Sequence, residues 1–472
     1  GQGLPGFGQR AYGWQQRQPL AAQNQARATA EPHKEAYIHP GRGPRDHVAA
    51  VSPRLAHHEQ EGRVGVSQRT GHQGLSTLAL HGGTPVRSAS FPSWPVFGPE
   101  DEAALLDVLR SGKWFLSDRV AEVERVFSDF HHSRHGCAVS SGTAALQVAL
   151  EAAGVAVGDE VVVPSYTFVA TAAAAALVGA VPVFVDVSPD TYCIDAAAVE
   201  AALTERTRAV IAVHLAGQPA DLDALVTLCR ARDVRLIEDA AQAHCAEWKG
   251  RRVGAIGDLG TFSFQASKNL SAGEGGFIVS DDDTLADAAW SIHNCGRSRC
   301  GEWYEHPLIG GNYRMTEFQA ALLLSQMRNL EPQTDLRSRN AALLTELLSD
   351  IEGIRPLLVD DRVTRHANHL YVLRYDAAAF GGASRDRFIE ALCAEGVPGA
   401  AGYRPLYREP AFQARFRGKP DYSKVHCPVT ERICADEAVW LTQNLLLGTD
   451  EDTEQIAAAV RKVQKSADQL VG

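Results

Sequence analysis

From residue 136 onward the chain alternates short apolar runs with amphipathic stretches in a regular beat. Cys137–Val139, Glu160–Val163, Val181–Val187, Ala209–Val213 and Val234–Ile237 are brief and mostly rich in β-branched residues, which predicts strands. Thr143–Ala153, Thr167–Val178 and Leu222–Arg232 carry helical spacing, and Asp195 is placed to cap a further helix ending at Leu203. Strands alternating with single helices predict a mainly parallel sheet with helices on both faces. In such sheets ligands gather at the carboxyl ends of the strands. Those ends carry Ser140-Ser-Gly-Thr143, Pro164-Ser-Tyr-Thr-Phe168, Asp186, His214 and Glu238-Asp239, so these groups are expected to face one crevice.

The flanks read differently. Residues 1–74 are rich in Gln, Arg, Gly, His and Pro without apolar periodicity, which predicts a disordered, inert or artefactual extension. Order is expected from about Leu78, through an aromatic-proline arm (Phe91–Phe97) and a helix over Glu100–Arg110. Downstream, Phe277–Ser280 predicts a strand and 317–350 a long helix. Beyond about residue 352 come shorter strands, His369–Asp376 among them, and two helices, one over Ser384–Glu395. The expected division is a large α/β domain over 75–335 and a small α+β domain over 336–472.

Composition narrows the class. Hydrophobic residues at 45% and charged residues at 22% suit a globular chain with a substantial core. A net charge of −11 argues against a nucleic-acid partner. The cysteines are scattered without a Cys-x-x-Cys pair, so neither a disulfide framework nor a metal site is indicated, and a reducing, cytoplasmic setting is expected. Val161–Val185 is uncharged and long enough to span a membrane, yet Pro164, Gly179 and Pro182 interrupt it. Strand, helix and strand account for it better, so no membrane association is expected.

One stretch is chemically odd. Gly260–Gly276 holds a lone lysine, Lys268, flanked by hydroxyl residues and closed by glycines. Burial there would lower its pKa and make it a nucleophile toward a carbonyl. Asp239 ends a strand and, if buried, needs a cationic partner. Ser141-Gly-Thr143 lies where a strand meets a helix N-terminus, a place that favours phosphate. A lysine, an acidic partner for a pyridinium and a phosphate anchor are what pyridoxal 5′-phosphate requires. A plainer reading fits the same residues: the lysine snorkels and the hydroxyls merely cap a helix. Gly250, Gly254, Gly257 and Gly260 have the wrong spacing for a dinucleotide fingerprint.

Six motifs in order carry a resemblance that favours the first reading. They are Ser141-Gly-Thr-Ala-Ala-Leu, Pro164-Ser-Tyr-Thr-Phe-Val-Ala-Thr, Val213-His-Leu-Ala-Gly-Gln-Pro-Ala-Asp, Glu238-Asp-Ala-Ala-Gln-Ala-His, Phe262-Ser-Phe-Gln-Ala-Ser-Lys and Gly311-Asn-Tyr-Arg-Met-Thr-Glu. From about residue 78 to 465 the chain resembles the DegT/DnrJ/StrS family of PLP-dependent sugar and cyclitol aminotransferases, which have the aspartate aminotransferase fold. The resemblance implies that Lys268 bonds the cofactor and shuttles a proton, while Asp239 holds the pyridinium proton. It further implies that Phe168 stacks on the ring, Gln242 lies near its 3′ oxygen, and Gly142, Thr143 and Ser263 bind the phosphate. Asn312 would reach the neighbouring subunit's site, making a homodimer with shared active sites. Dehydratase relatives carry histidine at the lysine position, so Lys268 implies transamination.

The arm at Phe91, Ala272–Gly276, Trp303-Tyr-Glu-His306, Arg365–Leu370 and Gly402–Tyr407 look most similar to one branch of that family. It holds glutamine:scyllo-inosose aminotransferases and aminohydroxybenzoate synthases. The implied reaction moves an amino group from glutamine or glutamate to a keto-sugar or keto-cyclitol. His214, Tyr304, His306, His366 and Tyr403 are the candidate substrate contacts. The alternatives are an aminohydroxybenzoate synthase-like enzyme and a non-catalytic, PLP-binding regulatory paralogue.

Overall fold

The computed structural model describes residues 77–302 and 304–471, so the expectation for residues 1–74 lies outside the described residues. Helices α1 (Pro99–Ser111) and α2 (Asp118–Phe130) lead into strand β1 (His135–Val139). Then follow α3 (Gly142–Ala152), β2 (Glu160–Pro164), α4 (Ala170–Leu177), β3 (Val181–Val185) and α5 (Ala196–Ala202). The alternation continues with β4 (Thr207–Val213), α6 (Leu222–Ala231) and β5 (Arg235–Asp239), as the periodicity predicts. A short ribbon, β6 (Glu247–Trp248) and β7 (Arg251–Arg252), precedes β8 (Leu259–Ser263) and β9 (Gly276–Ser280). Helices α7 (Asp283–His293) and α8 (Glu317–Leu348) close this part of the chain.

The central sheet has the order β1-β9-β8-β5-β4-β2-β3. Strands β3, β2, β4, β5 and β8 are parallel, and β9 alone is reversed, running antiparallel to both β8 and β1. The expected α/β architecture with a mainly parallel sheet is therefore found. Strands such as Glu160-Val-Val-Val-Pro164 are buried throughout because helices cover both faces. Helix α4 is nearly all alanine, and its small side chains pack into the core beside α3. Capping follows the sequence: Asp195 Oδ1 accepts from Ala198 N at 2.9 Å, and Ser141 Oγ accepts from Ala144 N at 3.1 Å.

The remaining elements are β10 (Ile354–Pro356), β11 (Val363–Arg365), β12 (Leu370–Tyr375), α9 (Arg385–Ala394), α10 (Pro410–Phe416), α11 (Pro428–Arg432), β13 (Ala438–Thr442) and α12 (Asp450–Lys465). Two helices were expected here and four α-helices are present among the described residues. Helices α10 and α11 each begin on a proline at the first turn and are too short to show a periodic face. Helix α2 carries no label in the sequence reading, although Val120, Val123 and Phe127 form its buried stripe. The division expected near residue 335 falls inside α8. A separate apolar cluster gathers Leu344, Leu373, Phe388, Val439 and Val460, and it also takes in Leu78 from the start of the described chain. Glu395 ties that start down, accepting from Ala79 N at 2.8 Å and Val86 N at 3.0 Å.

Two histidines under the sheet have a measurable consequence. His131 and His244 are fully buried around Phe262, and burial drops both imidazoles to about 3. Their unfolded value is about 6.5, so below that pH the unfolded chain binds protons that the folded chain refuses. Their contribution to stability is complete above pH 6.5 and is lost as pH falls toward 3, at about 1.4 kcal/mol per pH unit for each proton. Urea midpoints are expected to drop steadily from pH 7 to pH 5. A level profile across that window would contradict the burial of neutral rings.

Candidate active site

The carboxyl ends of β1, β2, β5 and β8 border a cavity of about 700 Å³. At one end, α3 begins with Gly142 and Thr143, whose amides lie in the first turn and lack partners within the helix. A Cβ on Gly142 would stand 2.6 Å from Ser263 Cβ, and one on Gly276 would stand 2.2 Å from the Ser141 carbonyl oxygen. Only glycine lets the α3 turn approach β8 and β9 this closely. The result is a cradle of free amides and the Ser263 hydroxyl, at the positive end of a helix dipole.

At the other end Asp239 is buried at the tip of β5. Thr171 Oγ1 donates to its Oδ2 at 2.9 Å, and the Ala241 amide reaches Oδ1 at 3.3 Å. No ion pair within 4.0 Å engages this carboxylate among the described residues, and burial raises its pKa above the ordinary range. Lys268 is half-buried on the turn after β8 and lines the same cavity. Burial lowers its pKa, and the nearby charge of Asp239 partly opposes that shift. The two charges influence one another without forming a salt bridge, which leaves both groups open to a ligand between them.

Amides and aromatic rings build the rest of the wall. Gln242 Oε1 accepts from Ala216 N at 2.7 Å, and its Nε2 donates to the Tyr403 hydroxyl at 3.1 Å. Tyr403 stands edge-on to Trp440 at 4.5 Å between ring centres, and Phe168 lies at the rim, 53% exposed. Trp94 Nε1 donates to the Ala266 carbonyl at 2.9 Å, pinning the aromatic arm beside the Lys268 turn. Arg337 Nε donates to Gln443 Oε1 at 2.9 Å, which fixes the orientation of that cavity-lining amide. His369 Nδ1 lies 3.0 Å from Asn269 Oδ1, and burial holds its ring neutral.

Gly142, Thr143, Phe168, Asp239, Gln242, Ser263, Lys268 and Tyr403 thus line one cavity. Other expectations need correction. His214 is fully buried away from the cavity: its Nε2 lies 3.0 Å from Glu238 Oε2, while its Nδ1 accepts from Ala220 N at 3.1 Å. Glu238 also accepts from the amides of Gly254, Ile256 and Gly257. Successive side chains on a strand point to opposite faces, so Asp239 reaches the cavity and Glu238 cannot. Asp186 likewise turns away, accepting from Val429 N, Thr430 N and Thr430 Oγ1 at 2.9 Å each.

Tyr304 and His306 are exposed and outside the cavity, with His306 Nδ1 2.9 Å from the Cys295 carbonyl oxygen. His366 lines a second cavity between β11, β12 and α8, and its Nδ1 accepts from Asn368 N at 2.8 Å. Asn368 has φ +50° and turns the chain, so His369 lines the cavity with Lys268, and His366, a candidate substrate contact, does not. Asn312 is exposed beside Asn294 and does not line this chain's own cavity. The sequence reading passed over Thr171, His369, Trp440, Gln443 and Asn444. Thr171 closes the motif beginning at Pro164, so it was within sight; residues 440–444 carry no local signal.

A parallel sheet whose carboxyl edge joins an open helix N-terminus, a buried carboxylate and a desolvated lysine is the frame of an aminotransferase-type enzyme. The chain belongs to the DegT/DnrJ/EryC1/StrS aminotransferase family, whose sequence profile matches residues 96–461. It is 44% identical over 413 residues to a putative L-glutamine:3-amino-2,3-dideoxy-scyllo-inosose aminotransferase of Streptoalloteichus tenebrarius, covering 84% of this chain and 99% of the relative. Among solved structures it resembles 3-amino-5-hydroxybenzoic acid synthase, with TM-score 0.73 and 35% identity over 81% of this chain and 100% of the other. It also resembles DesI, solved in the presence of its TDP-sugar product, with TM-score 0.75 and 32% identity over 84% of this chain and 99% of the other.

Proposed function

We propose that the protein uses pyridoxal 5′-phosphate to transfer an amino group from glutamine or glutamate to a keto-cyclitol of the scyllo-inosose class. The observation that carries this reading is the single cavity shared by the phosphate cradle, Asp239 and Lys268. The residues present fit the cofactor: free amides and the Ser263 hydroxyl suit its phosphate, and a buried, unpaired carboxylate suits its protonated ring nitrogen. Once bound, the cofactor supplies an electron sink and carries the amino group between the two half-reactions.

The chain's own groups do the rest. Asp239 holds the ring-nitrogen proton, and Thr171 orients that carboxylate. Lys268 Nζ, whose pKa burial lowers, takes a proton from the donor's Cα and returns one later in the cycle. Gln242 fixes the Tyr403 hydroxyl, while Phe168 covers the mouth. Among the described lining residues Lys268 is the sole lysine or arginine, and burial keeps His369 neutral. Among the described lining residues a nucleotide diphosphate would find no cation besides Lys268, whereas Thr442, Gln443 and Asn444 offer hydrogen bonds to a polyhydroxylated ring. That contrast supports a free cyclitol over a nucleotide-linked sugar.

Two further parts belong to the proposal. A second copy would cover the exposed Trp114, Phe115, Leu308 and Ile309, which neighbour the segment carrying Asn312, and would complete the site. The separate apolar cluster around Leu373 and Phe388 supports a smaller C-terminal domain. Unpaired cysteines throughout suit a reducing cytoplasm, and no described helix is long and apolar enough to cross a membrane. The test pairs amino donors with 2-deoxy-scyllo-inosose, scyllo-inosose and a TDP-keto-sugar, reading amine product by mass spectrometry. Glutamine with a cyclitol ketone is expected to give kcat/KM about 10²-fold above the nucleotide-linked sugar. The reverse order would overturn the substrate assignment.

A further inference from the structure

Away from the cavity, α2, β1 and α7 bring three potential ligands together. Glu124, Cys137 and His293 each offer one donor atom, and these atoms all lie within 4.8 Å of one another. We propose that this cluster is a binding site for one divalent transition-metal ion of the zinc type. The residues stand far apart in sequence with no ligand-like spacing, so only the fold assembles them.

His293 supplies the second, independent observation. Its ring is fully buried, and Nδ1 lies 2.5 Å from the Trp290 carbonyl oxygen, which makes Nδ1 the protonated nitrogen. Nε2 is then a bare lone pair, and it has no hydrogen-bond partner among the described residues. A histidine whose far nitrogen donates to a backbone carbonyl while the near one is free is held as metal-ligating histidines are.

The other two ligands complement it. Cys137 is a buried thiol on β1. On metal binding the S–H bond breaks, the S–metal bond forms and the proton leaves to solvent, with no change of oxidation state. Glu124 accepts from the Ala138 amide at 3.1 Å through one oxygen and is only half-buried, so it marks the access path. A water arriving along that path would fill a fourth, tetrahedral position. Thiolate and carboxylate together balance a 2+ ion. The nearby Arg299 guanidinium is occupied with Asp287 at 3.5 Å and the Trp290 ring at 5.0 Å.

The ion would staple a helix, the first strand of the central sheet and the end of α7. The His293 carbonyl oxygen accepts from Tyr313 N at 3.0 Å, and Asn294 pairs with Asn312. The staple therefore fastens the segment proposed to reach the second subunit. It binds metal independently of the amino-transfer reading, since neither cofactor nor substrate touches it.

The test uses full-length holoenzyme, stripped with a chelator and re-equilibrated with zinc or cobalt(II). Wild type is expected to retain about one equivalent of zinc and, with cobalt, to show a thiolate-to-metal charge-transfer band in difference spectra. Cys137→Ser should lose both while keeping the cofactor's visible absorption. Glu124→Gln, which keeps an acceptor for the Ala138 amide, should weaken zinc by at least about tenfold in chelator competition. If Cys137→Ser fails to fold, the Glu124→Gln comparison decides alone. Wild type that retains no zinc overturns the site, as does equal affinity in wild type and Glu124→Gln.

Discussion

Lys268→Ala is expected to lower kcat for amino transfer on the order of 10⁴-fold, the upper range for a positioned acid–base group. The expectation follows from where the amine sits. Lys268 lines the cavity with a lowered pKa, and the other cavity groups cannot replace it. His369 is held neutral and engaged with Asn269, and the Tyr403 hydroxyl is pushed up by burial and occupied by Gln242. Arginine is not a substitute, because it stays protonated at any pH the enzyme tolerates, so Lys268→Arg should be as inactive as Lys268→Ala. The fold should survive, since the lysine is half-buried and makes no hydrogen bond through Nζ among the described residues. The visible absorption of cofactor-loaded enzyme should disappear in both variants. Activity within about 10²-fold of wild type would show that another group moves the proton.

The legibility of this lysine has a physical basis. A lone charge in an apolar, glycine-closed stretch must be either displayed or used, and strand ends are where parallel sheets use such groups. Strand positions were equally open to view, because β2 is buried throughout and β4 from Ala209 to Val213, and Val161–Val163, Val181–Val185 and Ala209–Val213 read as apolar runs. What failed was the direction of side chains. The sequence places Glu238 and Asp239 together, but the pleat separates them, one into a scaffold with His214 and one into the cavity. The left-handed residue Asn368 is equally silent in sequence, so His366 and His369 could not be told apart. Residues 440–444 enter the cavity through pairing of β13 with β12, a contact set by tertiary structure alone. The cluster of Glu124, Cys137 and His293 was invisible for the same reason.

Asp239→Asn should separate catalysis from stability in opposite directions. Asparagine keeps the shape and can still accept from Thr171 or Ala241, so the wall of the cavity need not move. It cannot balance a protonated ring nitrogen, and the loss of that one preorganised charge is expected to lower kcat by roughly 10²–10³-fold. KM for the ketone should change little, because the carboxylate sits under the cofactor's place and not among the groups facing the ring hydroxyls. Without cofactor the sign reverses. Burial raises the Asp239 pKa, so its folded-state contribution is favourable at low pH and is lost as pH rises through that raised value. Above that value the cofactor-free wild type carries a buried, unpaired charge that the asparagine variant lacks. Cofactor-free Asp239→Asn is expected to melt at the same temperature as wild type or higher at pH 8, with the difference shrinking as pH falls. A residue that only shaped the strand end would show lower melting temperatures at every pH and a smaller loss of kcat. Melting curves of the cofactor-free proteins, set beside kcat of the loaded ones, distinguish the two roles.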